Sequence, residues 1–231
     1  VRFGDEKMPG IDFIIPNPGY LEGKEHMVKA MFFTHGHMDH IGALPFVLDK
    51  IGEPDFYAAP LTKALLMKRL EEYKDRKPID IMTIQPGEEV KISDKLSVKV
   101  LRINHSIPDD LEIIIKTPIG NVVHTSDFKF DDTPVNDKPA DVEEMERMSR
   151  EEGVLVLMSD STGAEKEGHS LSEQDVTRNL DKIISEATGM LILGTFASLI
   201  NRIQQIITIS EKYGKKVVFD GYSMKSNVEI C

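Results

Sequence analysis

The stretch Phe33-Thr34-His35-Gly36-His37-Met38-Asp39-His40 (FTHGHMDH, residues 33–40) gathers three of the chain's seven histidines and one aspartate within a few positions. Imidazole nitrogen and carboxylate oxygen ligate zinc and similar divalent ions without any thiolate. The preceding segment, Met27 to Thr34, is apolar and β-prone, and His40 to Ile51 reads as a short helix with Leu44, Val47 and Leu48 along one side. The cluster therefore falls on a strand-to-helix turn, where Gly36 allows the chain to turn tightly. One loop can then present four ligands, His35, His37, Asp39 and His40, to two neighbouring ions. Two ions about 3.5–4 Å apart can hold a bridging hydroxide and stabilise both the attacking and leaving oxygens of a phosphoryl displacement.

A closed structural site would need four ligands per metal and no more, whereas a catalytic pair draws further ligands from distant strand ends. Two residues fit. His105 follows a strand ending at Ile103, and Asp127 follows one ending at Thr125, each leading into a polar loop. A lone histidine beside a strand is more often a surface or core residue, and only the preceding cluster lifts His105 above that reading. His26, His124 and His169 read as structural. Of these, His124 offers a possible supporting donor, and His169, in a Gly-His pair, a possible late ligand.

Outward from the cluster, Asp55 to Ala59 is a strand and Leu61 to Lys74 an amphipathic helix with Leu65, Leu66, Leu70 and Tyr73 at helical spacing. Strands follow at Ile79–Ile84, Glu89–Ile92 and Leu96–Ile103. A hairpin then turns at Pro118–Asn121, between Ile113–Thr117 and Val122–Thr125. The rhythm next changes to alternation. Asp141–Glu152 reads as a helix, Val154–Met158 as a buried strand, and Ser172–Ala187 as a helix capped by Ser172. Met190–Gly194 and Lys216–Phe219 read as strands flanking a helix over Ser198–Tyr213. This order predicts an α/β sandwich over residues 1–187 and the start of a second α/β unit over 188–231.

The composition is that of a soluble globular protein, with 40% hydrophobic and 29% charged residues. No apolar run approaches the ~20 residues of a membrane span, so no membrane partner is expected. A single cysteine, Cys231, excludes an internal disulfide framework and a cysteine-rich zinc site, and suits a reducing cytoplasm. The net charge of -11 argues against a simple basic nucleic-acid binder. It is uneven, though: Asp131–Glu152 holds nine acids against three bases, and Lys63–Lys77 six bases against three acids. Bound divalent cations would add local charge that the formal count omits.

With these residues in view, the chain resembles the metallo-β-lactamase fold, and more closely its β-CASP nuclease branch, nearest to the ribonuclease J family. The resemblance is carried in order by GIDFIIPNPGYL, FTHGHMDHIGALPFVL, VLRINHSIPD, TPIGNVVHTSDFKFD, LMSDSTGAEKEGHSLSE and GTFASLINRIQQI. It implies an αββα sandwich leading into an inserted β-CASP domain. It further implies His35, His37 and His105 on one metal, Asp39 and His40 on a second, and Asp127 bridging, with Asp160 supporting the site. Ser198 lies in a segment that the resemblance places facing RNA. Ser126 stands where the family usually has Gly, Gly163 where it has Asn, and Glu112 where it has a small residue. The family's first Asp motif would precede Val1 and its later histidines, one of them a ligand of the second metal, would follow Cys231. The chain thus reads as a fragment with an incomplete second site.

The expected activity is cytoplasmic hydrolysis of RNA phosphodiester bonds, exo- and endonucleolytic, by a two-metal-activated hydroxide. The ions would be zinc, with manganese or magnesium as alternatives, and the full-length protein a homo-oligomer. Two other readings stand beside it. A small-molecule hydrolase of thioesterase or lactonase type would need a complete site within this chain, with His169 as late ligand. A non-catalytic RNA-binding subunit would need degenerate metal motifs, which the intact residues above do not show.

Overall fold

A computed structural model of the chain describes residues 2–3, 8–73, 75 and 77–231. Lys74 and Arg76, part of the basic stretch and of the expected helix end, lie outside the described residues, as do Val1, Gly4 and Asp5. Arg2–Phe3 (β1) and Phe13–Ile14 (β2) form a small antiparallel pair ahead of the main body.

Three parallel strands, Ala30–Phe33 (β3), Asp55–Ala58 (β4) and Ile81–Thr83 (β5), make one sheet. Between its strands lie Met38–Ile41 (α1), Leu44–Val47 (α2) and Pro60–Glu71 (α3). The expected continuous helix over 40–51 is broken into α1, α2 and a 3-10 turn, Leu48–Lys50. Pro45 has no N–H to donate to the Ile41 carbonyl, so an unbroken helix cannot cross that point.

A second sheet has the order β10-β9-β8-β7-β6, built from Glu89–Lys91 (β6), Ser97–Arg102 (β7), Leu111–Thr117 (β8), Gly120–His124 (β9) and Val154–Met158 (β10). Its strands are antiparallel except for β10, which runs parallel to β9. Val142–Glu151 (α4) supplies the crossover between those two.

Strand alternation sorts the apolar residues into layers. Phe33, Phe56 and Ala58 face α1–α3, where they pack with Ile41, Leu65 and Leu66. Phe32 and Tyr57, stacked with ring centroids 4.6 Å apart, face the second sheet and meet Val98, Val100, Leu111 and Ile113. Leu101, Ile114 and Val123 on the outer face of that sheet are covered by Met145 and Met148 of α4. The result is the expected helix–sheet–sheet–helix sandwich. The acidic run is absorbed here: Lys99 of β7 pairs with Glu144, and Arg102 with Asp137 and Asp141.

Beyond the sandwich, Glu173–Glu186 (α5) begins at Ser172, whose hydroxyl accepts from the Asp175 N–H at 3.2 Å. Ile200–Lys212 (α6) packs on α5, and Tyr222–Ile230 (α7) follows. Three expectations are corrected. The β10 strand is present but not buried; Val154–Met158 are each between 43% and 62% exposed. The segments 190–194 and 216–219 form no strand, and Met190, Ile192 and Val218 lie exposed. A strand needs a hydrogen-bonding neighbour as well as a β-prone sequence, and none flanks these segments among the described residues. Helix α7 was not anticipated.

Candidate metal centre

The candidate residues leave the sandwich at one rim. His35 and His37 follow β3, His105 follows β7, Asp127 follows β9 and Asp160 follows β10. The rim is held together by backbone bonds between loops: Leu111 N–H donates to the Thr34 carbonyl, Lys129 N–H to Asn104, and Thr125 N–H to Met158, at 3.0, 2.8 and 3.1 Å. Asp109, at φ +65°, accepts from the Leu61 N–H at 2.9 Å and so ties the His105 loop to the first turn of α3.

Gly36 is needed for a different reason from the one its sequence position suggests. A Cβ there would lie 2.4 Å from Leu65 Cδ1 and 3.5 Å from Ile107 Cδ1. The packing of Leu65 of α3 against the histidine loop, rather than a special backbone angle, disfavours a side chain here, since any Cβ would displace the buried leucine.

Two sets of side chains converge. Ligand atoms of His35, His37 and His105 lie within 4.8 Å of one another, and so do those of His35, His40 and Asp127. His35 Nε2 is 3.1 Å from His37 Nδ1. Two nitrogens on one tetrahedral zinc at ~2.0–2.1 Å stand about 3.3 Å apart, so this spacing fits two ligands of one ion. His40 Nε2 lies 3.3 Å from Asp127 Oδ2 and 3.5 Å from Asp39 Oδ2, and His105 Nε2 lies 3.9 Å from Asp127 Oδ2. Asp127 thus stands between the two histidine sets. Asp39 joins neither, but its exposed carboxylate is beside His40.

His35 cannot serve both sets. Its Nδ1 faces Thr34 Oγ1 and Ser126 Oγ, each at 3.1 Å, which leaves Nε2 as the one nitrogen turned to the cluster. Burial, reinforced by the neighbouring imidazoles of His40, His37 and His105, holds its pKa down at about 2. Burial, with His37 also opposing charge, lowers that of His105 to about 4. His37 is lowered as well, chiefly by burial. His35, His37 and His105 are therefore held toward neutral imidazole, the form that binds metal.

Asp160 accepts from the Thr162 N–H at 2.8 Å, its own N–H donates to Thr125 Oγ1 at 3.1 Å, and its charge raises the His105 pKa slightly against the larger lowering by burial. The Ser198 backbone lies close enough to the His37 ring to favour its protonated form, so the segment before α6 approaches the cluster. His169 and His26 are exposed and stand in neither set, while His124 accepts from the Ser126 N–H at 3.1 Å.

One residue escaped the sequence reading. Asp110 is buried behind His35, with Oδ2 3.5 Å from His35 Nδ1 and Oδ1 accepting from the Ser126 hydroxyl at 2.6 Å. Burial pushes its pKa up to about 9; a cation on the far side of His35 acts in the opposite sense. The available signal was a second acid directly before the apolar strand LEIII. Ser126 itself sits at φ +63°, a left-handed conformation that costs a non-glycine residue about 1 kcal/mol or more.

A sandwich of this order with histidines and aspartates converging on one rim defines a class. The chain belongs to the metallo-β-lactamase superfamily, whose family model matches residues 7–194. Within that class it is similar to ribonuclease J. Residues 188–231 match the ribonuclease J β-CASP domain. Ribonuclease J of Thermus thermophilus is 41% identical over 229 residues, covering 97% of this chain. Ribonuclease J 1 of Streptococcus pyogenes is 40% identical over 99% of the chain, and ribonuclease J2 of Bacillus subtilis 36% over 98%. The chain spans about 40% of the length of each of these relatives. A crystal structure of an Enterococcus faecalis protein of unknown function shares the fold, with a TM-score of 0.56 at 14% identity over 84% of this chain and 52% of that one.

Proposed function

We propose that this chain is the metal-binding portion of a ribonuclease that hydrolyses RNA phosphodiester bonds. The observation that carries the reading is the convergence of His35, His37 and His105, with His40 and Asp127 beside them, in a chain similar throughout to ribonuclease J. Divalent ions bound there would supply Lewis acidity to a phosphodiester and acidify water at neutral pH. The donor set, rich in neutral imidazole, favours zinc over magnesium, which prefers oxygen ligands.

The chain's own residues divide the work as follows. His35 Nε2, His37 Nδ1 and His105 would hold one ion, and His40 with Asp39 a second; Asp127, within reach of both His40 and His105, would be available to either. Asp160 biases His105 electrostatically and keeps the β10 end in register with the Thr125 loop. The segment Thr195–Ser198, next to His37, contacts the substrate strand. The division of the chain into 1–187 and 188–231, a cytoplasmic setting and a homo-oligomeric full-length protein complete the proposal.

The test is hydrolysis of 5′-phosphorylated RNA by the full-length protein, comparing wild type with His37→Ala. A metal-dependent rate that is lost in the variant supports the assignment, and equal rates sink it.

A further inference from the structure

Behind His35 lies a buried arrangement that the sandwich does not require for packing. His35, Asp110 and Ser126 are 0%, 1% and 2% exposed, so their polar atoms are shut off from bulk water and need partners inside the protein. With Asp110 ionised, as a cation held on the far side of His35 favours, the Ser126 hydroxyl, which has one proton, donates to Asp110 Oδ1 at 2.6 Å. Its oxygen is then left to accept from His35 Nδ1, 3.1 Å away. Asp110 Oδ2 makes no hydrogen bond among the described residues, and it faces the same Nδ1 at 3.5 Å. The Ser126 and Asp110 oxygens facing Nδ1 both favour the tautomer that carries its proton there and turns an unprotonated Nε2 toward His37 and His105, and the Thr34 hydroxyl, 3.1 Å from Nδ1, can accept from the same proton. The left-handed backbone of Ser126 fits this role. Glycine would adopt φ +63° without strain, and the serine persists there with its hydroxyl held by two buried partners.

We propose that Ser126 and Asp110 are a positioning pair that fixes the tautomer and ring orientation of His35 and thereby sets the metal affinity of the His35–His37–His105 set. The proposal rests on that set being a metal site. Metal-bound histidines depend on such outer partners, whose loss costs about 10–100-fold in affinity or activity.

The experiment measures zinc affinity of the full-length protein by competition with a chromophoric chelator. The visible spectrum of the cobalt(II)-loaded protein and the melting temperature are recorded on the same samples. Ser126→Gly is expected to bind zinc about 10–100-fold more weakly with an altered cobalt spectrum. Its melting temperature should change little, because glycine relieves the backbone strain while two buried polar groups lose the serine hydroxyl as partner. Asp110→Asn places an amide N–H₂ against Nδ1, opposes the productive tautomer, and should weaken binding to a similar degree. The double variant should lose no more than about the weaker-binding single variant, since both act through one imidazole. Wild-type affinity and spectrum in both single variants overturn the pairing. If Ser126→Gly fails to fold, Asp110→Asn decides alone. His105→Ala separates the two levels: unchanged zinc binding there overturns the metal site and the pairing with it. Loss there, with Ser126→Gly and Asp110→Asn unaffected, overturns the pairing only.

Discussion

The histidine rim and the outer edge of the second sheet draw on similar sequence material and come out differently. Both are marked by short β-prone runs, Ala-Met-Phe-Phe of β3 in one case and Val-Leu-Val-Leu-Met of β10 in the other. Every residue of β3 has a partner on β4, helices cover one face and the second sheet covers the other. Among the described residues the β10 strand has a neighbour on one side only, and its five apolar residues stay exposed. Apolar composition records what a segment can bury, while the partners that bury it lie elsewhere in the chain. The metal candidates sit at the covered end of this contrast, because ligand geometry needs loops that cannot shift.

That contrast can be broken most sharply at the ligands. His105→Ala should lower RNA hydrolysis by the full-length protein at least ~100-fold and reduce bound zinc per chain. Wild-type turnover would mean that the rim is not where chemistry occurs. The next largest effect is in the core. Leu66 is wholly buried, and Leu66→Ala should cost about 3 kcal/mol in chemical denaturation, against under ~1 kcal/mol for Leu157→Ala in β10. Equal costs would show that something covers the β10 edge in solution.

The same distinction explains what could be read in advance. His105 and Asp127 were legible because each stands where a strand pattern gives way to a polar loop, and the loop at 33–40 told which kind of partner to seek. Asp110 was hidden because its role depends on β8 starting beside Thr34, a contact 77 positions apart in sequence (111 − 34). Gly36 was legible as necessary but not as a close approach to Leu65, which only the docking of α3 reveals. The runs at 190–194 and 216–219 have strand composition without a strand, since pairing is a property of two segments. Helix α7 carries no strong apolar stripe, and its Ile230 packs on the first core only through the tertiary fold.

Glu112 tests whether the covered face tolerates charge. It lies on β8 beneath α4, lining a cleft of about 270 Å³ with Ile114, Asn121, Met145 and Met148. Burial, with the nearby Asp141 carboxylate, raises its pKa from 4.5 to about 7. A folded-state pKa above the unfolded one means that the native state binds the extra proton. Its contribution is therefore fully present below pH 4.5 and is lost as pH rises through about 7. Glu112→Gln, which cannot ionise, should be more stable than wild type by roughly 2 kcal/mol at pH 8 and nearly equal at pH 4.5. Parallel stability–pH curves for the two proteins would mean that the carboxylate is solvated in place.

The smallest effect lies at the start of α5, outside the sandwich. Ser172 was legible as a cap because it precedes an amphipathic run, and its hydroxyl does accept from the Asp175 N–H. The Glu173 side chain, at the first helical position, is held by Lys129 and Arg202, so the same turn is also fixed from the loop after Asp127 and from α6. If the cap acts alone, Ser172→Ala should cost about 1 kcal/mol in chemical denaturation. If the Glu173 pairs hold the turn regardless, the cost drops to a few tenths, and it returns to about 1 kcal/mol when Ser172→Ala is made in a Glu173→Gln background. The double-mutant cycle therefore measures how far tertiary contacts, rather than the local sequence, secure the first helix beyond the rim.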